Sequence, residues 1–316
     1  EIGFAGGHGT AGGMASVFTD SFNWADGADL GKTTATIGLL VGIFGGMAII
    51  NVAVRKKWTK VLTEPASGNA AKEVYGEKDA EHEASAYMTV SQDVVEPFAF
   101  HLGIIGMAVL IGRLIVWGFG QIFGYSGLPL FPFAMIGGWV INAIAQRVPL
   151  LRDLFDRKTF QRIQGMALEI LVTCAMASIS IPVVLAYWKP LLIGSIVIIA
   201  LMVLWTLWLS PRIFNDCWFE QAIIRYGAFC GVAAVGYMLL RCADPKMETD
   251  AGTIYALDGP FMSPFIGGGL VTSMWPFLIT SMGALKFGLV ACVISLAILL
   301  VLRLFFWNKN FKMQQR

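Results

Sequence analysis

The sequence predicts an all-α polytopic membrane protein, and three observations support this fold class. Hydrophobic residues make up 56% of the 316 residues. Charged residues make up only 14%, whereas they make up about 25% of ordinary soluble domains. The apolar residues also occur in runs of roughly 20, the length at which a helix crosses a ~30 Å hydrocarbon core. These features exclude a soluble enzyme, a disordered chain, a disulfide scaffold and a transmembrane β-barrel, whose strands alternate apolar and polar residues.

Nine apolar segments follow one another along the chain, which predicts about eight to nine membrane segments. The seventh is weaker than the others because it holds Arg225 and Arg241. We expect Lys189-Pro190 to form the turn between the fifth and sixth segments, and 244–262 to form an acidic loop. The segments cover about residues 1–18, 33–54, 97–120, 126–146, 163–187, 190–209, 219–243, 263–281 and 285–307.

The charged residues predict how these segments cross the membrane. Residues 55–96 hold 14 of the 44 charged residues and form a polar linker. Lys and Arg mark cytoplasmic loops, which places this linker, the basic stretch 147–162 and the tail 308–316 on the cytoplasmic side. That arrangement requires that two of the last three segments cross, or that none does. The simplest solution is that 219–243 enters and returns, as re-entrant backbone does where it lines a cavity or is buried in protein.

No group of residues indicates an enzyme. The sequence contains no Ser-His-Asp set, no P-loop and no zincin motif. The net charge of +2 is too small to indicate a nucleic-acid partner. We therefore expect neither catalysis nor an organic cofactor.

The most distinctive motif is the glycine run at residues 6–13, where five of eight residues are glycine. Each glycine costs a helix about 1 kcal/mol relative to alanine, so we expect an unwound stretch that does not hold a regular helix. Its bare N–H and C=O groups would face a substrate or an ion, and His8 and Thr10 would add side-chain contacts. The alternative is close helix packing through small residues.

Two further glycine patterns have a simpler interpretation. Gly38, Gly42 and Gly46 recur at every fourth position, which is typical of a face for tight helix packing. The run at 267–269 predicts a flexible or close-contact point in the eighth segment.

Two arginines in the seventh segment are candidate substrate ligands, because charges inside a membrane are functional candidates by default. The guanidinium of Arg225 or Arg241 can hold a carboxylate with two parallel hydrogen bonds. The alternative is a structural role, either at the membrane interface or in an internal ion pair such as Arg241 with Asp244.

The run Gly6-Gly7-His8-Gly9-Thr10 followed by Ala11-Gly12-Gly13 resembles the Ser-Gly-Gly-His-Gly-Thr signature of the bacterial sodium/glutamate symporter family. The helix at 35–46, the polar central loop and the order of later segments are similar too. The helices that precede the signature in that family have no counterpart here. The resemblance therefore implies a divergent member that lacks the N-terminal part.

The resemblance implies a transporter with two inverted repeats, each with one glycine-rich broken or re-entrant segment. It implies sodium-coupled symport of glutamate or a related small carboxylate by alternating access, in a homodimer in the bacterial inner membrane. The alternative is a structural membrane subunit that kept the fold and lost the site. The repeats divide the chain into the end of the first repeat at 1–54, the cytoplasmic linker at 55–96, the second repeat with an additional C-terminal helix at 97–307, and the tail at 308–316.

The resemblance also assigns site residues. In the first loop the substrate and the coupling ion would meet Gly6, Gly7, His8, Gly9 and Thr10, with sodium near Gly7 and Thr10. The second site loop corresponds to 227–237, where three glycines remain and the family's histidine and Thr-Pro-Thr do not. The second-loop residues that the resemblance assigns to the site are Gly227 and Gly231. The intramembrane charges of Arg225 and Arg241 add two candidate site residues nearby, either of which could clamp the substrate.

Overall fold

The structure is a computed structural model that describes residues 2–62, 89, 95–123, 129–245, 247–262, 265 and 267–307. Most of the predicted linker and all of the predicted tail lie outside these residues. The described residues form helices and connecting turns, with no strand among them. The helices are α1 (Gly7–Gly13), α2 (Asp26–Arg55), α3 (Pro97–Phe123), α4 (Leu130–Arg147), α5 (Pro149–Leu154), α6 (Arg157–Ala177), α7 (Ile181–Ala186), α8 (Trp188–Leu204), α9 (Ser210–Ile213), α10 (Trp218–Cys230), α11 (Ala233–Ala243), α12 (Ala251–Met262), α13 (Leu270–Met282) and α14 (Ala284–Val301), with π-helical stretches at Val17–Ser21, Trp205–Leu209 and Leu302–Phe306.

Four stretches of helix among the described residues are long and apolar enough to cross a membrane. The predicted all-α polytopic membrane protein is therefore confirmed. The count of eight to nine segments and the inverted repeat remain predictions, because the other apolar helices are shorter. The four stretches are Asp26–Arg55, Pro97–Ile122, Trp188–Ile213 and Ala284–Phe305.

The chain forms two compact units. The first comprises Glu1–Gly12, Ala25–Ser67 and Ser178–Arg316, and the second comprises Gly13–Trp24 and Gly68–Ala177. These units follow spatial contacts, whereas the predicted division follows repeats along the chain. The repeat boundaries stay a prediction.

The core of the first unit lies between α2 and the pair α10–α11. Phe219, Ile223 and Leu239 are completely buried there, and Tyr226 is nearly so. The hydroxyl of Tyr226 donates a hydrogen bond to the carbonyl of Val41, 3.2 Å away on α2. This buried cluster thus lies beside the second glycine motif, which comprises Gly227, Gly231 and Gly236.

The second unit is built on the close pairing of α3 with α4. A Cβ added at Gly112 would lie 2.4 Å from the backbone nitrogen of Ala134, so the two helices touch through their backbones. His101 is also fully buried in this unit. Its Nε2 accepts a hydrogen bond of 2.9 Å from the backbone N–H of Asp156, which fixes the start of α6.

Proline positions correct two predicted boundaries. The predicted segment 163–187 is two helices, because Pro182 has no N–H with which to continue α6 and instead lies in the first turn of α7, after the extended residue Ser180. Lys189-Pro190 is not a turn, since both residues lie in the first turn of α8. A proline is tolerated there because a first-turn N–H has no helical partner.

The predicted acidic loop at 244–262 contains α12, which begins at Ala251. This short helix is held by packing rather than by a long apolar run. Ala251 is fully buried against Ile224 and Leu240. The ring of Tyr255 meets that of Tyr237 at 5.6 Å in an edge-on arrangement.

Candidate functional site

The glycine run at 6–13 forms a short helix, which corrects the expectation that it would not hold one. Gly7 starts α1 with φ +62°, a conformation that favours glycine. Its N–H donates to the carbonyl of Gly3 at 2.9 Å, so the preceding turn leads directly into the helix. Packing offsets the low propensity of the glycines, since a Cβ at Gly31 of α2 would lie 3.3 Å from that of Ala11. Only seven residues are helical, and α1 is far too short to span a bilayer.

His8 is buried on α1 and contacts α2. Its Nε2 lies 3.0 Å from Oγ1 of Thr36. The hydroxyl of Thr36 donates to the carbonyl of Lys32 at 3.0 Å, so its oxygen is the acceptor and Nε2–H of His8 is the donor. The neutral ring then carries its proton on Nε2, which leaves Nδ1 as an acceptor.

Thr10 joins the first glycine motif, the run at 6–13, to the third, the run at 267–269. Its Oγ1 lies 2.9 Å from the carbonyl oxygen of Gly6 and 3.3 Å from that of Gly267. Gly268 has φ +102°, and a Cβ there would fall 2.1 Å from Oγ1 of Thr10. The run at 267–269 is therefore a close-contact point, one of the two roles predicted for it, and it brings three oxygen atoms together at Thr10.

The second glycine motif lies where the chain reverses between α10 and α11. The backbone at Gly231 and Val232 is not helical. A Cβ at Gly227 would lie 2.7 Å from Cα of Gly236, which shows that α11 folds back along α10. Neither helix exceeds 13 residues, or about 20 Å. The predicted segment 219–243 is thus a broken helical hairpin.

The first and second glycine motifs meet at Gly7. A Cβ there would lie 2.6 Å from Cγ1 of Val232 and 3.5 Å from the carbonyl oxygen of Gly231. Gly9 is exposed, and a Cβ there would meet no atom within 4 Å.

The glycine stripe on α2 packs against this broken hairpin, as predicted. A Cβ at Gly38 would fall 2.2 Å from the carbonyl oxygen of Cys230. One at Gly42 would lie 3.5 Å from Cβ of Cys230, and one at Gly46 would lie 2.4 Å from a methyl group of Leu239. The small residues on α2 therefore allow the break between α10 and α11 to approach the backbone of α2.

The two predicted arginine ligands are not brought to the glycine motifs. The guanidinium of Arg225 forms an ion pair with Asp258 of α12, lies 4.9 Å from the ring centre of Phe214 and donates to the carbonyl of Gln221. Arg241 is exposed near the end of α11, about 12 Å along the helix axis from its start at Ala233. Arg225 therefore forms an internal ion pair, which is the kind of contact considered as the alternative to substrate binding.

Asp244 does not form the internal pair with Arg241 that was considered. Its carboxylate accepts hydrogen bonds from the N–H groups of Glu248 and Thr249 and from the hydroxyl of Thr249, all at 2.7–2.9 Å. Burial favours a higher pKa for Asp244, but these hydrogen bonds outweigh it and hold the pKa below its ordinary value. Asp244 thus closes the end of α11.

A family model of the sodium/glutamate symporters matches residues 1–235, which is most of the chain. The chain belongs to the sodium/glutamate symporter family. The resemblance inferred from the glycine signature is therefore confirmed. No curated protein and no solved structure gives a significant match.

In this symporter-family chain, two residues of the site had not been singled out from the sequence. Thr36 orients His8, and Lys32 lies one turn earlier on the same face of α2. The ammonium group of Lys32 pairs with Asp29 at 3.3 Å and donates to the hydroxyl of Ser178 at 3.0 Å. The signal in the sequence is the polar cluster at 32–36, which had been divided between a loop and the start of a segment. Because α2 begins at Asp26, the whole cluster is helical.

Proposed function

We propose that the protein is a secondary active transporter that moves glutamate or a related small carboxylate together with sodium by alternating access. Membership of the sodium/glutamate symporter family supports this class of transport. The observation that carries the site is the meeting of three glycine motifs around α1, with Gly7 against Gly231 and Thr10 against Gly267. The residues that we assign to substrate and ion are Gly6, Gly7, His8, Gly9, Thr10, Gly227 and Gly231.

We assign the substrate carboxylate to the start of α11, beside Gly7. Val232 precedes this helix and provides no side-chain cap for its first-turn N–H groups. These N–H groups, together with the positive end of the helix dipole, favour an anion. His8 follows Gly7 directly and adds a polar side chain that Thr36 holds in place.

We assign the sodium ion to the oxygen atoms around Thr10. Its hydroxyl oxygen and the carbonyl oxygens of Gly6 and Gly267 are neutral oxygen ligands. Broken membrane helices bind sodium with carbonyl groups of this kind. Arg225 is left out of the proposed substrate ligands because it pairs with Asp258, and Arg241 because it is exposed at the far end of α11.

The wider setting follows the family. We propose that the protein lies in the bacterial inner membrane as a homodimer, with two inverted repeats. In this proposal α1 belongs to the first repeat and the α10–α11 hairpin to the second, so that each contributes one broken segment to the site.

Uptake of radiolabelled glutamate and aspartate into proteoliposomes tests the proposal. We expect an inward sodium gradient to drive uptake, and we expect His8→Ala and Thr10→Val to abolish it without unfolding the protein. Thr206→Val is the matched control, because Thr206 is also buried and its hydroxyl also donates to the carbonyl four residues earlier. Normal uptake by both site variants would refute the site.

The same preparation distinguishes a transporter from a structural subunit that lost its site. A protein that binds glutamate is stabilised by RT ln(1 + [L]/Kd). A rise in melting temperature with glutamate and sodium supports the transporter. Absence of both uptake and stabilisation would support the structural subunit.

A further inference from the structure

The first unit contains a cavity of about 190 Å³ between α2, α8 and the turn before α1. Its walls are almost entirely apolar. Both helices belong to stretches that can cross a membrane. The residues that matter below are Phe4, Leu191, Gly194, Ser195 and Ile198, all of which line the cavity.

The size and the lining of this cavity suit an apolar guest. An apolar cavity of roughly 150 Å³ in a protein core stays dry and binds benzene. Water is therefore a poor occupant of this larger cavity. Since α2 and α8 lie at membrane depth, the apolar material available beside them is lipid acyl chain.

The start of α8 places the cavity at a particular level of the bilayer. Tyr187, Trp188 and Lys189 form a cluster of the kind that anchors helix ends at the membrane interface. The ammonium group of Lys189 lies 5.8 Å from the ring centre of Trp188. Ile198 is nine residues further, or about 14 Å along the axis. The cavity therefore extends from just below the interface into the hydrocarbon layer.

Ser195 adds a polar atom at an informative depth. Its side chain is 6% exposed, and its Oγ has no hydrogen-bond partner among the described residues. It lies six residues beyond Lys189, or about 9 Å along the axis. The interfacial layer on each side of a bilayer is about 5–8 Å thick, so this hydroxyl lies near the level of lipid ester groups.

We propose that the cavity binds a segment of one acyl chain of a phospholipid, with an ester oxygen of that lipid accepting a hydrogen bond from Ser195. The lipid phosphate then lies at the level of Lys189, whose charge attracts it. The acyl chain also packs against Phe4, which lines the cavity. Phe4 in turn packs closely on α2, since a Cβ at Gly38 would lie 3.2 Å from its ring. The bound lipid thus supports the segment that leads into α1.

Photolabelling of Phe4 tests this proposal on the full chain. Phe4 is only 3% exposed, so lipid around the protein does not reach it, whereas a chain inside the cavity does. The protein is reconstituted in phosphatidylethanolamine and phosphatidylglycerol vesicles that contain a trace of phospholipid with a diazirine midway along one acyl chain. After irradiation, adducts are mapped to residues by mass spectrometry.

Two matched glycine variants separate the cavity from the general lipid surface. A Cβ at Gly194 or at Gly288 meets no atom within 4 Å, so both positions accept a larger side chain, but only Gly194 lines the cavity. We expect Phe4 adducts in the wild type and in Gly288→Leu. In Gly194→Leu we expect a fall of about tenfold or more, and in Ser195→Ala a smaller fall. Labelling of Leu289 on α14 should not change.

Three results would overturn the proposal. The first is the absence of adducts on Phe4 in the wild type. The second is equal labelling of Phe4 in the wild type and Gly194→Leu. The third is labelling of Phe4 by a photoreactive alkyl detergent that an excess of phospholipid does not suppress, which would make the occupant an adventitious detergent only.

Discussion

At the scale of single residues, the candidate site depends on how His8 is held. The imidazole ring has two nitrogens that can form hydrogen bonds. The hydroxyl of Thr36 donates its proton to the backbone carbonyl of Lys32, so its oxygen accepts from Nε2–H of His8. The tautomer of the ring is therefore determined by α2, not by α1 itself. The sequence indicates His8 as a site residue, but it does not indicate Thr36, since nothing in a linear pattern shows which residue 28 positions away faces the ring.

Removal of the Thr36 hydroxyl should impair transport more than folding. In Thr36→Val the shape is kept but Nε2–H of His8 loses its acceptor, which costs about 1–3 kcal/mol when the donor is buried. We expect sodium-driven glutamate uptake to fall roughly tenfold or more, while Thr36→Ser retains it. Thr206→Val, measured in the same proteoliposomes, should transport normally. Equal uptake by Thr36→Val and the wild type would show that this hydrogen bond does not matter for transport.

Asp244 should make stability depend on pH in the acidic range. Hydrogen bonds to Thr249 and Glu248 outweigh burial and lower its pKa. The contribution of the Asp244 carboxylate to the stability of the fold is therefore fully present above the ordinary aspartate pKa of about 3.9. It is lost as pH falls through the lowered pKa of Asp244. At pH 7 we expect Asp244→Asn to lose about 1–3 kcal/mol of stability, as for buried hydrogen bonds to a charged group.

Thermal unfolding of the wild type and Asp244→Asn, near neutral pH and again below about pH 4, checks this expectation. The difference in melting temperature should shrink in acid. Asp216→Asn is the control, because Asp216 is exposed in the turn before α10. A difference that stays constant across this range would show that the charge of Asp244 does not stabilise the fold.

At the scale of helices, the long apolar ones were predictable and the short ones were not. The periodic glycines and the length of the apolar run identified α2, and the run at 285–307 identified α14. The helix α12 was read as a loop because its stability comes from the contact of Ala251 and Tyr255 with α10 and α11. A linear sequence does not display such tertiary contacts.

The glycine run at 6–13 shows why propensity alone was insufficient. The low helix propensity of glycine predicted an unwound stretch, yet α1 is helical, with Gly7 packed against Val232 and Ala11 packed against Gly31. The absence of side chains at the glycines lets the three motifs approach one another. Hence the prediction of a glycine-built site and the error about its helix have a single physical origin.

The packing role of α2 predicts opposite effects for two alanine substitutions. Gly38→Ala should destabilise the protein by about 1–3 kcal/mol, as overpacking does, because the new methyl group would fall 2.2 Å from the carbonyl oxygen of Cys230. Gly288→Ala should stabilise it by roughly 0.5–1 kcal/mol, because that glycine of α14 faces open space.

Denaturation of both alanine variants in detergent measures directly whether each substitution lowers or raises the free energy of unfolding. The comparison is strict because each substitution adds one methyl group to a helix of the first unit. Destabilisation of equal size in both would mean that the approach of α2 to the break at Cys230 is looser than the structure shows.

At the scale of the whole molecule, the folded-back pair α10–α11 has the form predicted for the apolar segment 219–243, which was expected to enter the membrane and return. The charge pattern required that two of the last three apolar segments cross, or that none does. The structure shows a hairpin at 218–243 whose arms of 13 and 11 residues are each too short to span. Both ends of the hairpin should therefore face the same compartment, whereas the ends of the stretch Trp188–Ile213 should face opposite ones.

Labelling of single cysteines tests this topology. In a cysteine-free background, we expect a membrane-impermeant maleimide to reach Asp216→Cys and Met247→Cys, which flank the hairpin at exposed positions, from the same side of sealed vesicles. The control pair is Trp188→Cys and Asn215→Cys, at the two ends of the α8 stretch, which should be labelled from opposite sides. If Asp216→Cys and Met247→Cys were labelled from opposite sides while the control pair behaved as expected, the hairpin would have to open and cross the bilayer. The contacts of Gly7 with Gly231 and Val232, on which the proposed transport site depends, would then not persist in the membrane.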